Sequence, residues 1–171
     1  AAAPFLWTNG VTYTATGLYT HTFTSQFGCD SIATLDITFA GVRIAPRVFL
    51  QGAYVEADGK MHDKLRQQNL VPNNEPYSNL PFNSIPILDG NPAEKFVSAA
   101  ILAKTGDSAV VDWVLVELRN GSASGSIVAT KRALVLRNGA VVSSVDGASS
   151  LFFPQNIPGN YFVSIKHRNH L

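Results

Sequence analysis

Apolar and polar side chains alternate along residues 5–39. "VTYTAT" (11–16) sets Val11, Tyr13 and Ala15 against Thr12, Thr14 and Thr16. "LYTHTFTS" (18–25) sets Tyr19, His21 and Phe23 against Leu18, Thr20, Thr22 and Thr24, and "SIATLDITF" (31–39) sets Ala33, Leu35, Ile37 and Phe39 against Thr34, Asp36 and Thr38. Period-two patterning in β-forming residues predicts short strands. Turns are marked at "TNG" (8–10), Gly17 and "FGCDS" (27–31). A unit of about 35 residues with one apolar face cannot bury that face alone and needs a neighbour to pack on.

The pattern changes after residue 40. "VRIAPRVFLQG" (42–52) predicts a strand in which Pro46 marks an edge or a bulge. "ADGKMHDKLRQQNLVP" (57–72) predicts a helix of about two turns, with Met61, Leu65 and either Gln68 or Asn69 on one face and Pro72 closing it. Pro72, Pro76, Pro81, Pro86 and Pro92 then punctuate a long irregular stretch, 72–96. Such a stretch is either a stiff cover over a sheet face or a functional loop. Strands are predicted again at 97–103, 109–119, 126–137, 140–144, 150–153 and 160–168, with an Asn-Gly hairpin at 138–139. No strand–helix–strand alternation supports a parallel sheet. The expected fold is therefore all-β: an antiparallel β-sandwich, Ig-like or jelly-roll-like, with one short helix and a Pro-rich loop, over residues 41–171. A small β-repeat unit, 1–40, precedes it.

Composition narrows the functional classes. Hydrophobic residues make up 46% of the 171 positions, enough for a core, while charged residues make up only 15%. The net charge is +1 and the 13 Lys and Arg are scattered, the tightest group being "KHR" at 166–168. A nucleic-acid binder needs a basic stripe, so no nucleic-acid partner is expected. No apolar run reaches the ~18 residues that span a membrane, so no membrane span is expected. "AAAPFLWTNG" lacks the basic and apolar parts of a signal peptide. The single cysteine, Cys29, excludes an internal disulfide and an all-Cys metal site, and reads as a half-buried packing residue.

One position carries the sharpest chemical question. Asp112 stands in "VVDWVLVELR" (110–119) among valines and leucines. Strict alternation puts it on one face with Val110, Val114, Val116 and Leu118, and puts Val111, Trp113 and Leu115 on the other. An ionised carboxylate left unpaired there would be prohibitive. It needs a cation or backbone donors, and "KHRNH" (166–170) offers His167, Arg168 and His170. The reading is a structural lock. Catalysis would require a nucleophile, and no Gly-x-Ser-x-Gly elbow is present. Glu56, Asp58, Asp63, Glu75 and Asp89 offer no spacing that selects a glycosidase pair. No enzyme activity, no cofactor and no metal site is expected. Calcium is the one alternative weighed, at "ADGK" (57–60), "LDGN" (88–91) or "VDGAS" (145–149), though Asp-Gly in loops more often marks turns. Trp7, Tyr54 and Tyr77 are candidate aromatics for a polysaccharide partner, drawn from a pool that also holds Tyr13, Tyr19 and Trp113.

"FLWTNGVTYTATGLYTHTFTSQFGCDSIATLDITF" (5–39) resembles a small repeat common in large secreted proteins of Bacteroidota, with "GCDS" before an alternating strand as its most specific mark. Residues 42–171 resemble a module near the C-terminal ends of such proteins. The marks are "VFLQGAY" (48–54), "MHDKLR" (61–66), "LVPNNEPY" (70–77), "VVDWVLVELR" (110–119), "ALVLRNGAVV" (133–142) and "GNYFVSIKHRNHL" (159–171). The resemblance implies export by the type IX route and an extracellular or cell-surface location. It implies no settled activity. Relatives run on past "HRNHL" with a further apolar strand. The expected function is a non-catalytic structural or adhesive module of a secreted surface protein, able to form a fibre. The alternative is a carbohydrate-binding module attached to a secreted enzyme. The expected partners are flanking domains of the same polypeptide or copies of the chain. A sheet edge completed by a strand from a second copy would build a fibre.

Overall fold

The computed structural model describes residues 5–13, 16–24, 26–38, 41–79, 88, 91–123, 125–154 and 159–169. The fold is all-β with several antiparallel sheets. Contacts gather into two compact units: Ala1–Val42 with Phe152–Gly159, and Arg43–Leu151 with Asn160–Leu171. Two three-residue strands, β5 (Val42–Ile44) and β11 (Leu151–Phe153), lie where the chain passes from one unit to the other.

In the smaller unit, β1 (Phe5–Leu6) pairs with β2 (Thr12–Tyr13). The turn between them is closed by the Gly10 N–H on the Trp7 carbonyl, with Gly10 at φ 79°. β3 (Gly17–Thr24) and β4 (Asp30–Ile37) form an eight-residue hairpin. Its register sets Tyr19 opposite Leu35 and His21 opposite Ala33, so the alternation seen in the sequence becomes one half-buried apolar face. Aromatic rings fill that face. Trp7 meets Tyr13, His21 and Phe23 edge-on at 6.0–6.4 Å, and Tyr13 lies 4.2 Å from Tyr19. Cys29, expected to be half-buried, is exposed, because it sits in the turn that joins β3 to β4. Phe39 lies outside the described residues.

The larger unit is built on a four-stranded sheet. Its central strands are β8 (Val110–Arg119) and β9 (Ile127–Leu136), flanked by β10 (Val141–Ser143) beside β9 and β12 (Phe162–Lys166) beside β8. Both central strands are buried along nearly their whole length, and their charged members are ion-paired. On one face Trp113, Leu115, Leu134 and Leu136 pack with Tyr77, Val97 and Ile101. The β9–β10 connection is a hairpin at the expected Asn138-Gly139. It is a three-residue loop: the Gly139 N–H bonds the Leu136 carbonyl, the Leu136 N–H bonds the Ala140 carbonyl, and only Gly139 is left-handed, at φ 85°. A two-residue type I′ turn would have needed positive φ at Asn138 as well.

Three local expectations are corrected. The stretch 57–72 is not a two-turn helix. A 3₁₀ turn, Glu56–Asp58, ends at left-handed Gly59, and a small ladder pairs β6 (Tyr54–Val55) with β7 (Lys60–Met61). Only one helical turn, α1 (Lys64–Gln67), follows. The Asp58-Gly59 dipeptide breaks the helical pattern where its spacing still looks continuous. Residues 97–103 are not a strand. Ser98 caps α2 (Ala99–Leu102), its hydroxyl accepting the Ile101 N–H, and local capping with two alanines outweighs the apolar run. The strand expected at 42–52 is regular only over β5, with one further bridge from Arg47 to Ala140. Within 72–96, the described residues hold a bridge from Asn74 to Phe96 and a 3₁₀ turn at Pro92–Lys95. Residues 80–87, 89 and 90 lie outside the described set.

Candidate functional site

The site begins with a break in register. Val110 faces Leu136 but Asp112 faces Val135, so Val111 is an extra residue in β8. This is a β-bulge, and a bulge re-aims the residues around it. Val110, expected beside Asp112, packs instead in the cluster of Trp113 and Leu115. Asp112 is 0% exposed. One carboxylate oxygen accepts the Trp113 N–H at 2.8 Å. The other accepts from His167 Nε2 at 3.0 Å and from Arg168 Nε at 3.0 Å and Nη2 at 2.9 Å. His167 Nδ1 accepts the Asn169 N–H at 3.4 Å, which leaves Nε2 to carry the ring hydrogen toward Asp112. Of the three cations read from the sequence, His167 and Arg168 converge on Asp112. His170 lies outside the described residues.

Four further buried carboxylates of the larger unit are ion-paired. Glu75 meets Arg132 at 2.9 Å and also accepts the N–H groups of Tyr77 and Ser78. Glu94 meets Lys131 at 2.6 Å. Glu117 meets Lys166 at 2.8 Å and Arg119 Nε at 2.9 Å. Asp63 meets Arg66 Nε at 2.8 Å and Gln67 at 2.9 Å. Burial pushes the Glu117 carboxyl up, but Lys166 and Arg119 outweigh it and hold the group below the ordinary glutamate value. Asp63 is likewise raised by burial and lowered further by Arg66. Lys131 and Arg132 are adjacent in β9 and so point to opposite faces of the sheet, each finding its own glutamate. The sequence reasoning passed over them; two successive cations inside "ATKRALVL" were the available signal.

Tyr77 does not offer a face to a ligand, contrary to expectation. It is fully buried in the core, with its hydroxyl 3.0 Å from the Trp113 carbonyl and 3.3 Å from that of Lys166. Burial first, and the charge of Asp112 second, push its phenol well above the ordinary tyrosine value. Trp7 is half-buried by its ring neighbours in the smaller unit. Tyr54 is 42% exposed and its ring lies 5.2 Å from that of Phe49, itself 43% exposed. The sequence reading did not single out Phe49. Among the calcium candidates, Asp146 spends its carboxylate on the Ala148 and Ser149 N–H groups of its own loop, while Asp89 lies outside the described residues.

Asp112 and His167 also border a hollow of about 210 Å³, walled by Leu50, Ala53, Leu65 and Val111. His62 lines it too, and His62 Nδ1 is buried with no hydrogen-bond partner among the described residues. A second hollow of about 200 Å³, lined by Phe49, Gln51 and Ile165, shares Leu50 and His167 with the first. The chain matches no known protein family, no curated protein and no solved structure. The geometry therefore carries the functional reading.

Proposed function

We propose that the chain is a non-catalytic structural or adhesive module of a secreted bacterial surface protein, of the kind exported by the type IX route. One observation carries the reading. Asp63, Glu75, Glu94, Asp112 and Glu117, the buried carboxylates described in the larger unit, each meet a cation or histidine. Carboxylates ion-paired in this way hold elements together. A general acid or base needs instead an oxygen open to a substrate and a pKa near the working pH. Asp63 and Glu75, weighed as glycosidase acids from sequence, are both committed to arginines. The resemblance of residues 5–39 and 42–171 to surface-protein modules supports the location. Sandwich packing of the larger unit belongs to the same proposal.

An antibody to the chain, applied to intact and lysed cells of the bacterium that makes it, tests the location. Labelling of intact cells or of culture supernatant is expected, and labelling confined to lysed cells would overturn the reading. A screen of the purified chain against chromogenic esters, peptides and glycosides tests the absence of turnover. Activity abolished by Asp112→Asn in a folded variant would count against a structural role. A second reading, a carbohydrate-binding module attached to a secreted enzyme, is favoured by the exposed Phe49–Tyr54 ring pair.

A further inference from the structure

We propose that the groove of the two hollows that share Leu50 and His167, with Phe49 lining one of them and Tyr54 packed on Phe49, binds one uncharged sugar ring of a glycan. The proposal rests on the reading of the chain as a non-catalytic surface module, and it names a ligand class for that module.

Both hollows lie in the larger unit and adjoin at two shared lining residues, Leu50 and His167. At about 210 and 200 Å³, each is smaller than the roughly 300–1,000 Å³ usual for drug-sized ligands, and each suits a single ring. Leu50, Leu65 and Val111 give apolar contact. Phe49 lines the second hollow, and its ring and that of Tyr54 are both exposed. A Cβ on Gly139 would come within 3.0 Å of the Phe49 ring, so Phe49 rests against the β9–β10 turn, and Tyr54 leans on Phe49 at an interplanar angle of 60°. An aromatic surface of this kind takes the C–H face of a pyranose.

The polar groups set the charge of the ligand. Among the described lining residues Asp112 is the one acid, and its two oxygens already accept from Trp113, His167 and Arg168. The described lining therefore presents no uncompensated charge with which to recruit a charged ligand. His62 Nδ1 remains a buried polar atom without a partner among the described residues, and Gln51 and Asn169 line the same groove. Buried polar atoms are normally hydrogen-bonded, so His62 is a lining side chain with hydrogen-bonding capacity still to be met. Apolar walls, exposed aromatic rings and a few neutral polar groups match an uncharged sugar better than an acidic one.

The test uses the chain of residues 1–171 and calorimetric titration. The probes are gluco-, manno-, xylo- and galacto-oligosaccharides, with oligogalacturonate as the acidic probe. At least one neutral probe is expected to bind saturably and oligogalacturonate not to bind. Phe49→Ala and Tyr54→Ala, both at exposed positions, should each weaken binding at least tenfold with the circular dichroism unchanged. His62→Ala should weaken it several-fold. Failure of all neutral probes to bind, binding of the acidic probe alone, or binding unchanged in Phe49→Ala and Tyr54→Ala would each overturn the site, while leaving the non-catalytic reading standing. Cleavage of a bound probe would overturn the non-catalytic reading and support the groove as the place where sugar sits.

Discussion

Arg168 holds Asp112 from 56 positions away in sequence, with guanidinium nitrogens at 2.9 and 3.0 Å from one carboxylate oxygen. His167 reaches the same oxygen, so two successive residues just beyond β12 close on the start of β8. β12 and β8 are neighbours in the sheet, pairing Lys166 with Leu115. The ion pair thus fastens the segment that leaves β12 to the bulge in β8. A bulge turns a side chain off the regular ladder, and here the turned side chain is the one that receives the fastening.

Glu75 and Arg132 form a second buried fastening. The pair is 3% exposed on both sides and ties the Pro-rich segment to β9. Removing one member leaves a buried charge alone, which costs about 3–5 kcal/mol. Arg132→Ala should lose about that much in urea denaturation. Replacing both residues with apolar ones of similar volume should lose far less, because no charge is then stranded.

Acid should unfold the larger unit partly through Glu117 and Asp63. Both carboxyls are held below their unfolded values, so the folded state binds fewer protons than the unfolded chain. Their stabilisation is fully present above the unfolded glutamate and aspartate pKa values, near 4, and is lost as pH falls through the lower folded values. Tyr77 works in the opposite sense. Its raised phenol gives stability that is complete below pH ~10 and lost as pH rises beyond that. Denaturant midpoints measured from pH 2 to 11 should be flat in the middle and fall at both ends. Glu117→Gln should shrink the acid-side fall.

Gly139→Ala should destabilise the chain by about 1 kcal/mol or more. The residue sits at φ 85°, where a side chain is strained, and its Cβ would lie 3.0 Å from Phe49. The same substitution should disturb the Phe49 ring, visible as a shift of its aromatic proton resonances. An unchanged melting temperature with unshifted Phe49 resonances would contradict the close packing of ring on turn.

Residues 5–39 expressed alone should not unfold cooperatively. The β3–β4 hairpin has one half-buried face, and a two-stranded hairpin is marginal in water. Thermal circular dichroism of that fragment should change gradually. A sharp transition would show that the ring cluster of Trp7, Tyr13, Tyr19, His21 and Phe23 suffices by itself.

The long strands were legible because their patterns persist over eight to ten residues: β3, β4, β8 and β9 all lie where alternation or a sustained apolar run placed them. The short strands β10, β11 and β12 also lie within the runs expected at 140–144, 150–153 and 160–168, but two short elements were misread, because a single residue decides each of them. Gly59 ends a turn inside an apparent helix, and Ser98 starts a helix inside an apparent strand. Asp112 and its cations could be picked out by the cost of a lone buried charge, which holds whatever the fold. The bulge at Val111 could not, since no period in "VVDW" distinguishes an inserted residue from a paired one. Tyr54 could be picked out as an aromatic, but its pairing with Phe49 and the place of His62 could not, for a different reason. Their proximity is set by the β6–β7 ladder and the turn before it, not by spacing along the chain.

The central claim, that Asp112 is a structural lock, is tested most directly by a double-mutant cycle between Asp112 and Arg168, read by urea denaturation at pH 7. Asp112→Ala should cost about 3–5 kcal/mol, because it strands Arg168 and His167 together. Arg168→Ala should cost less, since His167 and the Trp113 N–H stay on the carboxylate. The double variant should lose less than the sum of the two, by at least ~1 kcal/mol, as expected for residues in direct contact. Additive losses, or an Asp112→Ala variant as stable as the parent, would contradict the account.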